Sequence, residues 1–175
     1  EKSVRSLNFA VEGATRMRAL IEALFEYARI GFSEPQFEAV EMESVLEQVK
    51  KDLSYVIEER GVQITHDALP TVHGDRILLS QLVQNLIGNA IKYCHGTPKI
   101  HISASLNDGR WEIRIKDNGI GIPKAQHQQI FAIFRRLHVE DNYPGIGLGL
   151  AICDRIVKQH SGQIRVESDA GNGSC

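Results

Sequence analysis

Along the first thirty residues, apolar side chains recur at a three-four spacing: Val4, Leu7, Val11, Ala14, Ile21, Phe25 and Ala28, with Arg18 breaking the series once. No proline interrupts the stretch, and its only glycine is Gly13. The spacing predicts one long helix with a heptad seam. A lone helix cannot bury such a seam, so it needs a partner: another helix, another subunit, or the rest of this chain. Gly31 and Pro35 in "GFSEPQF" then break the pattern. A domain boundary is expected there, with a helical unit at 1–31, a linker at 32–37 and a second unit at 38–175.

Beyond the linker the period alternates between 3.6 and 2. A helix is expected over 42–60, with Val45, Leu46, Val49, Leu53, Val56 and Ile57 facing inward. "VQITHD" reads as a strand, and "LPTVHGD" as a connection with a short strand at its centre. A helix over 76–93 follows, then two strands, "KIHISASL" and "RWEIRIKD", joined by "NDG", a strong hairpin signal. A glycine-rich irregular stretch, 118–147, holds a short helix around 126–134. A helix over 148–160 leads to a last strand, "GQIRVES". Helices and strands alternate through hairpins rather than crossovers. The expected fold is an α+β two-layer sandwich, a mixed sheet with helices on one face, preceded by one long helix.

Composition narrows the functional classes. Of 175 residues, 42% are hydrophobic and 24% charged, with net charge −2, so no basic field advertises nucleic acid or an anionic membrane. No apolar run approaches the roughly 18 residues of a membrane span, and the first segment lacks a secretory layout. Cys94, Cys153 and Cys175 are odd in number and lack metal-ligand spacing. They read as reduced thiols in a cytoplasmic protein. The seven histidines read as surface or strand decoration. Opening on Glu1 and stopping on Cys175, the sequence reads as a piece of something longer.

Three stretches carry candidate chemistry. On the 76–93 helix, Leu79, Leu82, Val83, Leu86, Ile87, Ala90 and Ile91 form an apolar face. Gln81, Asn85, Asn89 and Lys92 form a polar stripe opposite it. A plain solvated face is one reading. Asparagine is a poor interior helix former, however, and an amide can ligate a hard cation while a neighbouring lysine meets phosphate. In "IKDNGIGIP", Asp117 ends a strand beside Gly119 and Gly121. That is either an ordinary turn or a carboxylate placed for an exocyclic amine, with glycines admitting a flat ligand. In "GIGLGLAI", Gly145, Gly147 and Gly149 open a helix, as a hinge or as a phosphate cradle.

In this order, the stretches resemble the nucleotide-binding domain of sensor histidine kinases, a branch of the ATP-binding sandwich shared with gyrase-type ATPases. "QNLIGNAIKY" is similar to the family's asparagine box, "DNGIGI" to its first glycine box, and "IFAIFRR" to its phenylalanine box. "GIGLGLAI" is similar to the second glycine box, and "GNGS" to the start of a third. The match covers about 37–175, and the resemblance implies a truncated final strand, because the sequence stops where the family has one. "RMRALIEALFEYARI" resembles the second helix of the family's dimerisation hairpin, and "RLH" resembles phytochrome-like members.

The resemblance implies ATP and Mg²⁺ as ligands. Asn89 would ligate the metal, with Asn85 supporting it and Lys92 on phosphate. Tyr93 would stack near adenine and Asp117 bind its amine, with Gly119 and Gly121 shaping that pocket. Phe131 and Phe134 would anchor a mobile lid at 137–144, and Arg136 would reach the phosphates. Gly145, Gly147, Gly149 and Leu150 would admit phosphate to the following helix.

The partners implied are a phosphoacceptor helix upstream, a response-regulator receiver domain and a second copy in a homodimer. Neither nucleic acid nor membrane contact is expected. Ala132, Ile133 and Arg135 depart from the phenylalanine box, which puts that box's contacts to a partner helix in doubt. Two rival functions remain: a non-hydrolysing nucleotide-binding regulatory module and a gyrase-type ATPase. The latter would place a glutamate where this chain has Asn85, and an amide cannot act as a base for water.

Overall fold

The computed structural model describes residues 2–32, 34–135 and 147–175. The expected lid at 137–144, Arg136 and Gly145 lie outside the described residues. The elements are α1 (Lys2–Phe32), β1 (Glu38–Glu41), α2 (Met42–Asp52), α3 (Ser54–Arg60), β2 (Gln63–His66) and β3 (Thr71–Gly74). They continue with α4 (Arg76–Lys92), β4 (Lys99–Asn107), β5 (Arg110–Asp117), a 3₁₀ turn (Lys124–Gln126) and α5 (Gly149–Gln159).

The main sheet has the order β2-β4-β5, and β1 pairs antiparallel with β3 in a separate ribbon. β4 and β5 form the expected hairpin, with Asn107 opposite Arg110. Asp108 and Gly109 at its tip have φ of 49° and 75°, as a two-residue turn with both central residues left-handed requires. β2 and β4 run parallel, so the chain crosses over through β3 and α4 to return. This corrects the expectation of hairpins alone. Two parallel neighbours cannot be joined by a tight turn.

Alternation along β4 puts Ile100 and Ile102 in the interior, where they join Val45, Leu46 and Val49 of α2 and Val83, Ile87 and Ile91 of α4. One helical layer therefore covers one face of the sheet, as expected. A second cluster packs Leu148, Ile152 and Ile156 around Ile30, with Tyr27 and Leu82 against it. Among the described residues, only the end of α1 docks in this way, through Ala23, Tyr27 and Ile30. Val11, Ile21 and Phe25 remain 58%, 55% and 71% exposed, so this chain leaves those seam positions uncovered among the described residues. Among the described residues, no helix is long and apolar enough to cross a membrane.

Four local differences have physical causes. The 42–60 helix divides at Leu53, whose φ and ψ are −97° and 8°. Leu53 N–H still reaches Val49 O at 3.0 Å, so the apolar face carries across the break. β1 has no sequence signal because only Val40 of its four residues is buried. The expected helix at 126–134 shrinks to the 3₁₀ turn and successive hydrogen-bonded turns, ending at Phe134 with φ of 61°.

The expected strand at 162–168 forms no ladder. Asp117 N–H bonds Ser174 O, while Glu167 and Cys175 exchange both backbone bonds, all at 2.8 Å. Ser174 and Cys175 thus lie between β5 and the end of the 162–167 segment, with an isolated antiparallel bridge between Ser168 and Ser174. The segment's remaining ties to β5 are side-chain pairs, Arg165 with Glu112 and Arg114 with Glu167.

Ile87 is wholly buried at the centre of this arrangement, whereas Ile21 is exposed on α1. Replacing Ile87 by Ala should cost about 2–5 kcal/mol in equilibrium denaturation. Ile21→Ala should stay within about 0.5 kcal/mol.

Candidate functional site

Asp75 starts α4: its Oδ1 accepts the N–H groups of Ile77 and Leu78 at 2.9 and 3.1 Å. The apolar face then turns to the sheet, leaving Asn85, Asn89 and Lys92 on the opposite side. That side is partly covered, because all three residues are half-buried. A Cβ built on Gly149 would lie 3.5 Å from Asn85 Oδ1 and 3.9 Å from Asn89 Nδ2, so both amides face the start of α5. Neither amide has a hydrogen-bond partner among the described residues. Among the described residues no side chain caps the start of α5, so its first N–H groups have no side-chain acceptor there. Lys92 Nζ sits 4.6 Å from the Tyr93 ring centroid.

Asp117 ends β5 facing the same space. Its Oδ1 accepts Gly119 N–H at 2.7 Å and Ser174 N–H at 3.1 Å. Its Oδ2 has no hydrogen-bond partner among the described residues. Burial pushes the carboxyl above the usual carboxylate range, against the pull of those two N–H donors.

Two glycine loops interlock around Asp117. Gly121 and Gly173 have φ of 69° and 74°. A side chain at Gly121 would strike Asp169 O, and one at Gly173 would strike Asp117 O. Ile120 N–H bonds Tyr93 O at 2.9 Å and Gly171 N–H bonds Ile120 O at 2.7 Å, so α4's end and both loops form one wall.

The cavity is about 1130 Å³ and runs on from this wall along β5. It brings together Asn89, Lys92, Tyr93, Asp117 and Gly121, with Phe131, Gly147 and Leu150 across from them. Asn85 and Gly149 meet just beside it. Gly119 holds Asp117 from behind, and a Cβ there would meet Tyr93 O at 2.7 Å. Phe134 is exposed and does not line the cavity, though its N–H bonds Gly147 O at 3.1 Å. Sequence reasoning did not assign Arg135, which lines the cavity, or Ser174, whose N–H holds Asp117. The "GNGS" stretch was the available signal for Ser174. Arg135 had none beyond its neighbour. Among the described residues, no three of His, Cys, Asp and Glu converge on a metal position.

Residues 74–175 match the family described as "Histidine kinase-, DNA gyrase B-, and HSP90-like ATPase". The chain belongs to this family. Cyanobacterial phytochrome A of Nostoc sp. is 43% identical over 96% of this chain, which spans 22% of that protein. Full-length ShkA, solved in complex with AMPPNP, is similar in structure with a TM-score of 0.76 and 29% identity, covering 97% of this chain and 37% of that one. The mycobacterial sensor histidine kinase MprB matches 79% of this chain and 93% of its own, with a TM-score of 0.66 and 29% identity. This ATPase-family chain is thus of the sensor histidine kinase type, with phytochrome-like relatives, and it spans about a fifth of the phytochrome it resembles.

The raised Asp117 carboxyl has a consequence for stability. A group whose folded value exceeds its unfolded one stabilises the fold most below the unfolded value, here near 3.8, and loses that contribution as pH rises through the folded value. Asp117→Asn keeps an acceptor for Gly119 and Ser174 without the charge. Its midpoint in chemical denaturation should equal or exceed the native one at neutral pH, and the difference should close on acidification.

Proposed function

We propose that this domain binds Mg-ATP and transfers the γ-phosphoryl to a histidine on a dimerisation helix outside residues 1–175, for onward transfer to a response-regulator aspartate. One observation carries the reading: Asp117 Oδ2 is left unpaired in the cavity that also holds Asn89, Lys92 and the uncapped start of α5. An adenine amine fits the first, a hard cation fits the Asn89 amide oxygen, and phosphate oxygens fit Lys92 and the start of α5. ShkA's complex with AMPPNP, an ATP analogue, supports the same ligand class.

In this reading Asp117 accepts the adenine amine, and Tyr93 and Gly121 flank the base. Lys92 and the first N–H groups of α5 meet the phosphates, with Gly147 and Gly149 allowing the approach. Asn89, supported by Asn85, is a neutral oxygen ligand for Mg²⁺, which suits a metal that takes most of its ligands from phosphate and water. When bound, the metal neutralises charge on the β- and γ-phosphates. Phe131 packs beside the nucleotide, and the phosphate-side roles of Arg136, Gly145 and the lid rest on the family resemblance alone. The exposed seam of α1 serves as part of the dimer's helix bundle. Asn85 cannot take a proton from water, which disfavours a gyrase-type ATPase.

Calorimetry tests the ligand. Asp117→Asn and Asn89→Ala should each weaken Mg-ATP binding about 10- to 100-fold, the loss expected for one charge-assisted bond or metal ligand. Unchanged affinity in Asp117→Asn would remove the adenine assignment. With γ-labelled ATP, the chain alone should gain no acid-labile label, whereas an added helix carrying an acceptor histidine should. Robust acid-labile label on the isolated chain would show that the acceptor lies within it.

A further inference from the structure

α4 and α5 run antiparallel, and their shared ends differ in role. At one end Gly149 meets Asn85 and Asn89. At the other, an 11-residue helix away and so about 16 Å distant, α5 finishes on His160 beside Asp75, the residue that starts α4. His160 Nε2 accepts the Asp75 backbone N–H at 3.0 Å, and Nδ1 lies 2.8 Å from Ile156 O. A carbonyl oxygen only accepts. This network therefore assigns the proton to Nδ1 and the lone pair to Nε2. The decoration expected of this histidine is corrected here: it is half-buried and both ring nitrogens are engaged.

The linker closes on the same point. Asp75 caps α4 with Oδ1 and accepts the Gln36 N–H on Oδ2 at 2.9 Å. Phe37 stacks on the His160 ring, with centroids 4.9 Å apart and planes at 19°, and meets His73 edge-on at 5.6 Å. The joint has little slack. A Cβ on Gly74 would come within 2.8 Å of Leu79 Cδ1 and 2.9 Å of His160 Cδ2. α1 also touches α5 through Ile30, with Tyr27 under the Arg155 guanidinium at 4.5 Å. One contact permits a pivot, whereas two fix an angle.

We propose that Asp75 and His160 are positioning residues that lock the linker to the α4–α5 pair and thereby set the orientation of the nucleotide end relative to α1. The consequence for phosphoryl transfer rests on the ATP reading above. A rotation of about 4° at the joint moves the far end of a rod of about 16 Å by about 1 Å. A misplacement of about 1 Å is enough to cost about 100-fold in an in-line reaction.

The lock is tested without nucleotide by spin labels on Met17→Cys and Leu106→Cys, both exposed positions, in a Cys175→Ser background. His160→Ala should broaden the inter-label distance distribution, and His160→Gln, which keeps an acceptor for Asp75 N–H, should narrow it again. In the same variants Mg-ATP affinity should stay within about twofold. Transfer to an added acceptor helix at saturating ATP should fall about tenfold in His160→Ala at unchanged KM and recover in His160→Gln. A native-width distribution in His160→Ala overturns the lock, as does a parallel loss of affinity and rate. If His160→Ala does not fold, Phe37→Leu decides: it should broaden the distribution, and native width overturns the proposal. Failure of the native chain to bind ATP would remove the functional reading alone, because the label distances still decide the joint.

Discussion

Along α4, Val83, Ile87, Ala90 and Ile91 are buried against α2 and β4, and this burial leaves Asn85 and Asn89 on the side that meets α5. The apolar face is strong enough to hold a helix that two interior asparagines weaken. The helix cannot rotate to hydrate those amides without exposing Ile87. Their half-burial follows from the core, and their lack of partners follows from α5 presenting a glycine there instead of a side chain that could reach them. Packing energy invested in the interior thus keeps polar groups in place and unsatisfied at the cavity.

The second constraint is the fit of distant loops. The glycines at 121 and 173 occupy left-handed conformations at points where each loop's backbone crosses close to the other's. Asp117 is therefore held by residues two and 57 positions away. Rigidity at this carboxylate is a property of tertiary structure and not of its own strand end.

Much of this was legible in the chain itself. The β4–β5 hairpin followed from alternation and "NDG", and α4 and α5 from their 3.6 period. The glycine boxes located Asp117, Gly121 and Gly147 because special φ values and close approaches leave a compositional trace. Features set by long-range pairing left none. β1 has one buried residue, so its partnership with β3 is invisible locally. "GQIRVES" alternates like a strand, yet Ser174 and Cys175 stand between it and β5. His160 looked incidental because its partners, Asp75 and Phe37, are remote in sequence.

The interlock of the two glycine loops bears on which substitutions the site tolerates. At Gly121 and Gly173 an added Cβ would meet backbone atoms of the other loop, and both positions have positive φ. Backbone cannot step aside as a flexible side chain can, so a substitution in either loop would be felt by the carboxylate that both enclose. Gly109 at the hairpin tip has a similar φ of 75°, yet nothing lies within 4 Å of its Cβ position. Glycines of like conformation thus differ in mutational tolerance: one at a tip costs local strain alone, and one at a crossing costs the geometry of two segments.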